Sequence, residues 1–408
     1  MRNNRSIRLI ILIWLAWIVI IFLYQALVTN RLELVRPDKA MDWVYEETSS
    51  RPKPDRIYLT SPFLNTHISW DSEYYLSIAL GGYQDPAMRV LQFPGQNGIS
   101  LNYAFFPIYP LTIRLLAIPL SVFSLTPIAT ATLAGLIISL LGTLAGMISL
   151  YYLTRDWLGE EAGIRTAFYL LIFPTGFFLA QVYTEGLFIG ITFCSLVMMR
   201  RKQWIWAAIL ASLATWTRAV GVLLFIPFFI NFLKVYWQGK FSNLLKPAAI
   251  LISLLCLTPV ISYLAWHNSS LYYPFRVVEA AYFQRGYLLM GQSLGVWETA
   301  IFHIIHFNGQ TSTYYLIETS MVALGLASSM ALLRKHADIA LFSLAVIFIS
   351  LTSGQAQSMS RYVLTCPSVF FALGYLGKKE PFDRAWTIAS ILAMGMLAAL
   401  FSFDLWVG

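Results

Sequence analysis

Apolar runs of roughly 20 residues follow one another along the chain, separated by short polar gaps that carry Arg and Lys. The runs are continuous. That predicts helices and argues against a barrel, whose strands alternate apolar and polar positions. The first run covers 9–27, behind Arg2, Arg5 and Arg8. It is longer than a signal-peptide core and no small-x-small cleavage site follows it, so it reads as a retained span with a cytoplasmic N-terminus. Later runs cover 127–153, 167–182, a return to Arg200-Arg201-Lys202, 204–216, a stretch ending near Tyr236, and 247–266. They continue with a return to Arg334-Lys335, an exit near Thr352, a return to Lys378 and Lys379, and a last span into the C-terminal tail. The run 204–237 is too long for one span and only just long enough for two. The pattern predicts about eleven spans, with the basic gaps on the cytoplasmic side.

The expected fold class is an all-α polytopic membrane protein, one integral membrane domain over 1–408. Residues 28–122 form a long first non-cytoplasmic loop with interfacial helices, and 267–313 form a second non-cytoplasmic loop. In the first, Arg51-Pro-Lys-Pro-Asp55 predicts extended, exposed chain and Gly81-Gly82 a helix stop. The stretch 104–116, with Pro107, Pro110 and Arg114, predicts a helix lying at the interface rather than crossing it. No internal repeat is visible, so an inverted-repeat transporter gains no support.

Composition changes this picture little. The chain is 58% hydrophobic and 12% charged, against about 25% charged in soluble proteins, and its mean hydropathy is +0.65. The net charge of +8 would admit a nucleic-acid partner. The basic residues are spread through the gaps between spans, however, so no nucleic acid is expected. Cys194, Cys256 and Cys366 all fall in apolar segments, with neither metal-site nor disulfide spacing. His303 and His306 stand at i, i+3, and no carboxylate completes a ligand set, although Glu298 is not far off. There is no P-loop, dinucleotide-binding glycine turn or HExxH, and no metal or other cofactor is expected.

Candidate chemistry lies in the polar residues. The segment His67-Ile-Ser-Trp-Asp-Ser-Glu-Tyr-Tyr75 sets two carboxylates, Asp71 and Glu73, among aromatics. The predicted topology puts Asp71, Glu73, Glu185, Arg218 and Arg361 on the outer side. A charge at bilayer depth costs roughly 2.5–3.5 kcal/mol on insertion scales, so one shared wet cavity is the economical explanation. On a helix, residues two apart point to roughly opposite faces, so Asp71 and Glu73 do not make a retaining pair about 5 Å apart. One carboxylate is then the base. Asp71 is the first candidate, with Glu73 beside it. Plainer readings exist for each: Asp71 as an N-cap, Glu73 as a solvated group, Glu185 as a carboxylate favoured by a helix N-terminus, and Arg218 and Arg361 as snorkelling side chains. The functional reading of the arginines is bidentate phosphate capture. Trp70, Tyr74, Tyr75, Phe105, Phe106, Tyr109 and Tyr183, with Glu185, are candidates to line the substrate; the aromatics also suit an interfacial belt.

Taken together these stretches resemble the PIG-V-like family of polytopic mannosyltransferases, in the GT-C class. The matching segments are Trp70-Asp-Ser-Glu-Tyr-Tyr-Leu-Ser-Ile-Ala-Leu-Gly-Gly-Tyr83, Ala104-Phe-Phe-Pro-Ile-Tyr-Pro110, Phe173-Pro-Thr-Gly-Phe-Phe178 with Tyr183-Thr-Glu185, Thr217-Arg-Ala-Val-Gly221, and Ser358-Met-Ser-Arg-Tyr362 with Pro367. They occur in the family's order over 65–375. The resemblance implies a sugar donor on a polyprenyl or dolichyl monophosphate. It implies inverting transfer on the non-cytoplasmic face to a hydroxyl of a lipid, glycan or other membrane-associated acceptor. Mannose comes from the resemblance alone. The family's acidic residue after Trp maps onto Asp71. The short chain fits a bacterial plasma membrane better than the endoplasmic reticulum, and 28–66 has no counterpart in the family. The competing classes are a transporter or flippase for a lipid-linked solute, and a noncatalytic membrane subunit.

Overall fold

The computed structural model describes residues 2–32, 61–93, 96–237, 246–307 and 309–407. The extended segment expected at 51–55 lies outside the described residues. The chain is a bundle of helices. Among the described residues five are long and apolar enough to cross a membrane: Arg5–Arg31, Pro127–Leu158, Ala219–Tyr236, Gln310–Leu332 and Glu380–Ser402. A sixth is counted if the bent pair Pro247–Cys256 and Thr258–His267 forms one span. The remaining predicted spans overlap shorter helices, the 167–182 run only in part: Glu160–Ile172, Thr184–Arg200, Trp204–Thr217, Ala337–Leu351 and Pro367–Leu376. Large apolar side chains such as Leu12, Ile20 and Leu27 on the first helix face outward, as lipid-facing positions require.

Local chemistry explains why about eleven apolar runs yield only five or six helices of spanning length. The run 167–182 is not one helix. It stops at Ile172, Pro174 follows, and a 3-10 turn occupies Gly176–Ala180. The run 204–237 breaks at Arg218, whose backbone is extended. The run 247–266 bends by 42° at Leu257, where Pro259 removes an amide donor. Before Pro367 the chain forms only the short Met359–Leu364 helix.

The two loops fold onto each other. The Asp71–Gly81 helix ends where Gly82 takes φ +83, a conformation without penalty for glycine. Arg114, on the Ile108–Leu120 helix, donates to the carbonyls of Ala79 (2.7 Å) and Ile78 (3.3 Å), satisfying that helix's C-terminus. The first loop also holds an antiparallel hairpin of Val90–Phe93 and Gln96–Ser100 that the all-α reading did not foresee. The second loop is helical, with Tyr272–Ala281 and Met290–Ile305. Val278 packs on Leu101 and Ala104, and Phe275 on Phe106 and Trp266.

The tightest packing joins Pro127–Leu158 to Thr184–Arg200, backbone against backbone. A Cβ added at Gly186 would lie 2.2 Å from the Ser139 carbonyl oxygen; one at Gly142 would lie 2.5 Å from that of Gly186, and one at Gly190 2.5 Å from that of Gly142. Small residues let membrane helices approach closely and gain dispersion energy where water-driven burial is absent. Gly186→Val must therefore force these helices apart. A destabilisation of about 1–3 kcal/mol or more is expected, read as a lowered thermal midpoint of the purified protein in detergent. An unchanged midpoint would contradict this packing.

Candidate active site

The site is organised by Arg361, on the short Met359–Leu364 helix. Its Nη1 donates to Asp71 Oδ2 at 3.0 Å and its Nε to Glu185 Oε1 at 2.8 Å. Arg218 Nη1 donates to the same Glu185 oxygen at 2.8 Å. Asp71 begins the Asp71–Gly81 helix, Glu185 lies in the first turn of Thr184–Arg200, and Arg218 follows the C-terminus of Trp204–Thr217. Four elements thus converge, each contributing one charge near its end. The side chain of Glu185 is 0% exposed and that of Arg361 5%, while Asp71 keeps 21%. The guanidinium of Arg361 also lies over the rings of Tyr183 (4.7 Å) and Phe178 (4.9 Å), and that of Arg218 over Tyr362 (5.0 Å).

Backbone strain flanks both ends of the Asp71–Arg361 ion pair. Trp70 precedes the Asp71 helix with φ 57, and Ser358 precedes the Arg361 helix with φ 65. A bulky residue at positive φ persists only when its surroundings hold it. Trp70 is held edge-on against Trp406, and its Nε1 donates to the Leu405 carbonyl at 3.4 Å. Tyr183 Oη donates to the Ser69 carbonyl (2.9 Å) and accepts from the Asp71 amide (3.3 Å). On the other side, buried Glu318 accepts from the amide and hydroxyl of Ser360, at 2.7 and 3.2 Å. The N-cap position of the Asp71–Gly81 helix is Trp70, not Asp71, so capping does not account for Asp71.

Two cavities meet at this network. One of about 1000 Å³ is lined by Trp70, Asp71, Tyr74, Arg361 and several glutamines. The other, of about 510 Å³, has more apolar walls and includes Tyr75, Phe106, Val220 and Arg218. Asp71, Phe105, Glu279, Arg285, Ser358 and Arg361 line both. The positive groups around them (Arg89, Arg218, Arg276, Arg285 and Arg361) outnumber the carboxylates Asp71, Glu279 and the underlying Glu185. The result is an anion-attracting seam.

Sequence reasoning placed Asp71, Glu185, Arg218 and Arg361 in one site, and the structure brings these four together. It places Tyr109, Tyr183 and Glu185 behind the cavity walls rather than on the cavity lining. Tyr109 is fully buried, with its hydroxyl against the Gly135 carbonyl and Ser139, and Tyr75 meets it edge-on. Glu73 lines neither cavity, in keeping with the helical spacing that separates it from Asp71. Glu279, Arg285 and Glu318 went unnoticed in the sequence. For Glu318 the signal was a lone carboxylate inside an apolar run; for Glu279 it was a carboxylate in an aromatic-rich loop, as at Asp71. Among the described residues, no three His, Cys, Asp or Glu side chains group as a metal site.

No family model matches the chain. Over 204 residues, 50% of its length, it is 25% identical to GPI mannosyltransferase 2 of Schizosaccharomyces pombe. The match spans 39% of that relative's own length. The resemblance to PIG-V-like mannosyltransferases, drawn from the motifs, meets the same counterpart here. Two solved structures match over most of this chain. One is ArnT from Cupriavidus metallidurans bound to undecaprenyl phosphate, with TM-score 0.47 and 13% identity over 94% of this chain and 63% of that one. The other is the Archaeoglobus fulgidus oligosaccharyltransferase, with TM-score 0.47 and 16% identity over 96% and 53%.

Removing one member of a buried ion network strands its partners and costs about 3–5 kcal/mol. Glu185→Ala leaves two guanidinium groups without their shared anion, whereas Asp71→Ala removes a half-buried carboxylate. Glu185→Ala is therefore expected to destabilise the protein by the larger amount in denaturant titrations in detergent. Equal losses would contradict the geometry.

Proposed function

We propose that this chain is an inverting glycosyltransferase. It moves a sugar, mannose first among candidates, from a polyprenyl or dolichyl monophosphate to a hydroxyl of a membrane-associated acceptor. The observation that carries this reading is the ionic seam between two cavities: a carboxylate, Asp71, facing both, beside arginines in excess. The motif resemblance and the 25% identical relative support mannose.

The smaller cavity, walled by Phe106, Val220, Phe275 and Leu289, suits a prenyl chain, with the donor phosphate among Arg218, Arg285 and Arg361. The larger, lined by Gln284, Gln292, Gln355 and Gln357, offers amide donors and acceptors to a hydroxylated acceptor. The acceptor oxygen attacks the anomeric carbon opposite the phosphate. Asp71 takes its proton, the bond from carbon to phosphate oxygen breaks, and the arginines stabilise the charge left on the phosphate. Attack from the opposite face inverts the anomeric configuration. Arg361 aims the Asp71 carboxylate, and Glu185 holds Arg361 in turn. The basic gaps between apolar runs support a non-cytoplasmic location for this seam.

The test is transfer from radiolabelled polyprenyl-phosphate-mannose in membranes expressing wild type and Asp71→Asn. Wild type is expected to label a host lipid or glycan. The variant, expressed at the same level, should lose about 10²–10⁴-fold, the usual contribution of a general base. A wild type inert with mannose, glucose, galactose and arabinose donors would overturn the reading. Near-wild-type transfer by Asp71→Asn would remove Asp71 as the base.

A further inference from the structure

Asp71, Glu185 and Glu318 all spend their carboxylates on protein partners. Glu279 does not. It sits near the end of the Tyr272–Ala281 helix and lines both cavities, as Asp71 does. Among the described residues its carboxyl has no hydrogen bond and no ion pair. Neighbouring Arg285, whose amide donates to the Glu279 carbonyl at 2.8 Å, turns its guanidinium to Ser358 at 3.4 Å. The helix that carries Glu279 is anchored by Val278 against Leu101 and Ala104, so its position at the seam is fixed by core packing and not by a mobile loop. Glu279 is only half-buried, so its carboxyl is open to water or to a ligand hydroxyl in the shared cavity.

The geometry points to Glu279 as a second working carboxylate of this site: it accepts a hydrogen bond from the acceptor's attacking hydroxyl and holds that hydroxyl against Asp71. This rests on the transferase reading. The proton still passes to Asp71. The new bond forms between acceptor oxygen and anomeric carbon, the bond to phosphate breaks, and Glu279 is unchanged at the end. Asp71 alone is poorly equipped to orient the acceptor, because Oδ2 is committed to Arg361. Two carboxylates, one ion-paired and one open, divide proton acceptance from orientation.

Ionisation of Glu279 should be visible in the rate. Burial pushes its carboxyl up to about 7, opposed by Arg285 and reinforced by Asp71. The other groups around it are Arg276 on its own helix, Tyr282 and Tyr287 just beyond, and Tyr103 on the segment packed beneath. Across the cavities stand Arg89, which donates to the Tyr282 hydroxyl, and Arg218 and Arg361. A raised carboxyl is protonated below its folded value and ionised above it. The form that accepts a hydrogen bond at both oxygens therefore accumulates as pH rises through about 7.

The experiment compares mannose transfer from radiolabelled polyprenyl-phosphate-mannose across neutral pH, in membranes expressing wild type and Glu279→Gln. Binding of polyprenyl phosphate to each purified protein is measured alongside. Wild-type transfer should rise through about pH 7. Glu279→Gln should fall on the order of 10- to 100-fold, as for loss of a hydrogen bond to a charged group, with that rise flattened and polyprenyl phosphate still bound. Glu279→Asp should restore the rise. Transfer by Glu279→Gln within twofold of wild type, or a loss that leaves the rise in place, would overturn the assignment while leaving the transferase reading intact. A wild type that transfers nothing removes that reading, and this assignment with it.

Discussion

A guanidinium buried among apolar helices must be neutralised where it lies, and the architecture around Arg361 follows from that constraint. Its two anions come from segments 290 and 176 residues away in sequence. Bringing Asp71, Glu185 and Arg361 to one point requires the first loop, the Thr184–Arg200 helix and the late Met359–Leu364 helix to close on each other. The glycine contacts of Gly142, Gly186 and Gly190 allow one such approach, since Glu185 adjoins the closest of them. Glu318 fixes the far side through Ser360.

The cost of this arrangement appears as local irregularity. Trp70 and Ser358 hold positive φ on either side of the ion pair, the run 204–237 breaks at Arg218, and chain between Ile172 and Thr184 gives up α-helix for a 3-10 turn. Irregular backbone at membrane depth is tolerated where it is buried in protein or lines a cavity. Here it does both. The breaks turn helix ends, with their partial charges, toward the seam, and Glu185 occupies the first turn of such an end.

The loops complete the site. Docked through Val278, Phe275 and the aromatics around Phe105, they roof a polar chamber beside a more apolar one. Tyr74 stacks on Phe105 with ring centroids 4.6 Å apart, and Phe105 lines both chambers. That contact makes one aromatic wall common to both chambers.

By itself the sequence determined the helical membrane class, the placement of nearly every apolar run, the stop at Gly81-Gly82 and the break near Arg218, because each depends on residues adjacent in the chain. It also singled out Asp71, Glu185, Arg218 and Arg361, because a charge beside an apolar run is conspicuous without any knowledge of its partner. Only the tertiary structure decided which of those charges touch, that Tyr109 and Tyr183 stand behind the wall, that Glu73 lies outside the cavities, and that Glu279 faces both. Those properties are fixed by contacts between distant segments, where side-chain direction and cavity shape arise from packing. Local hydropathy carries no record of either.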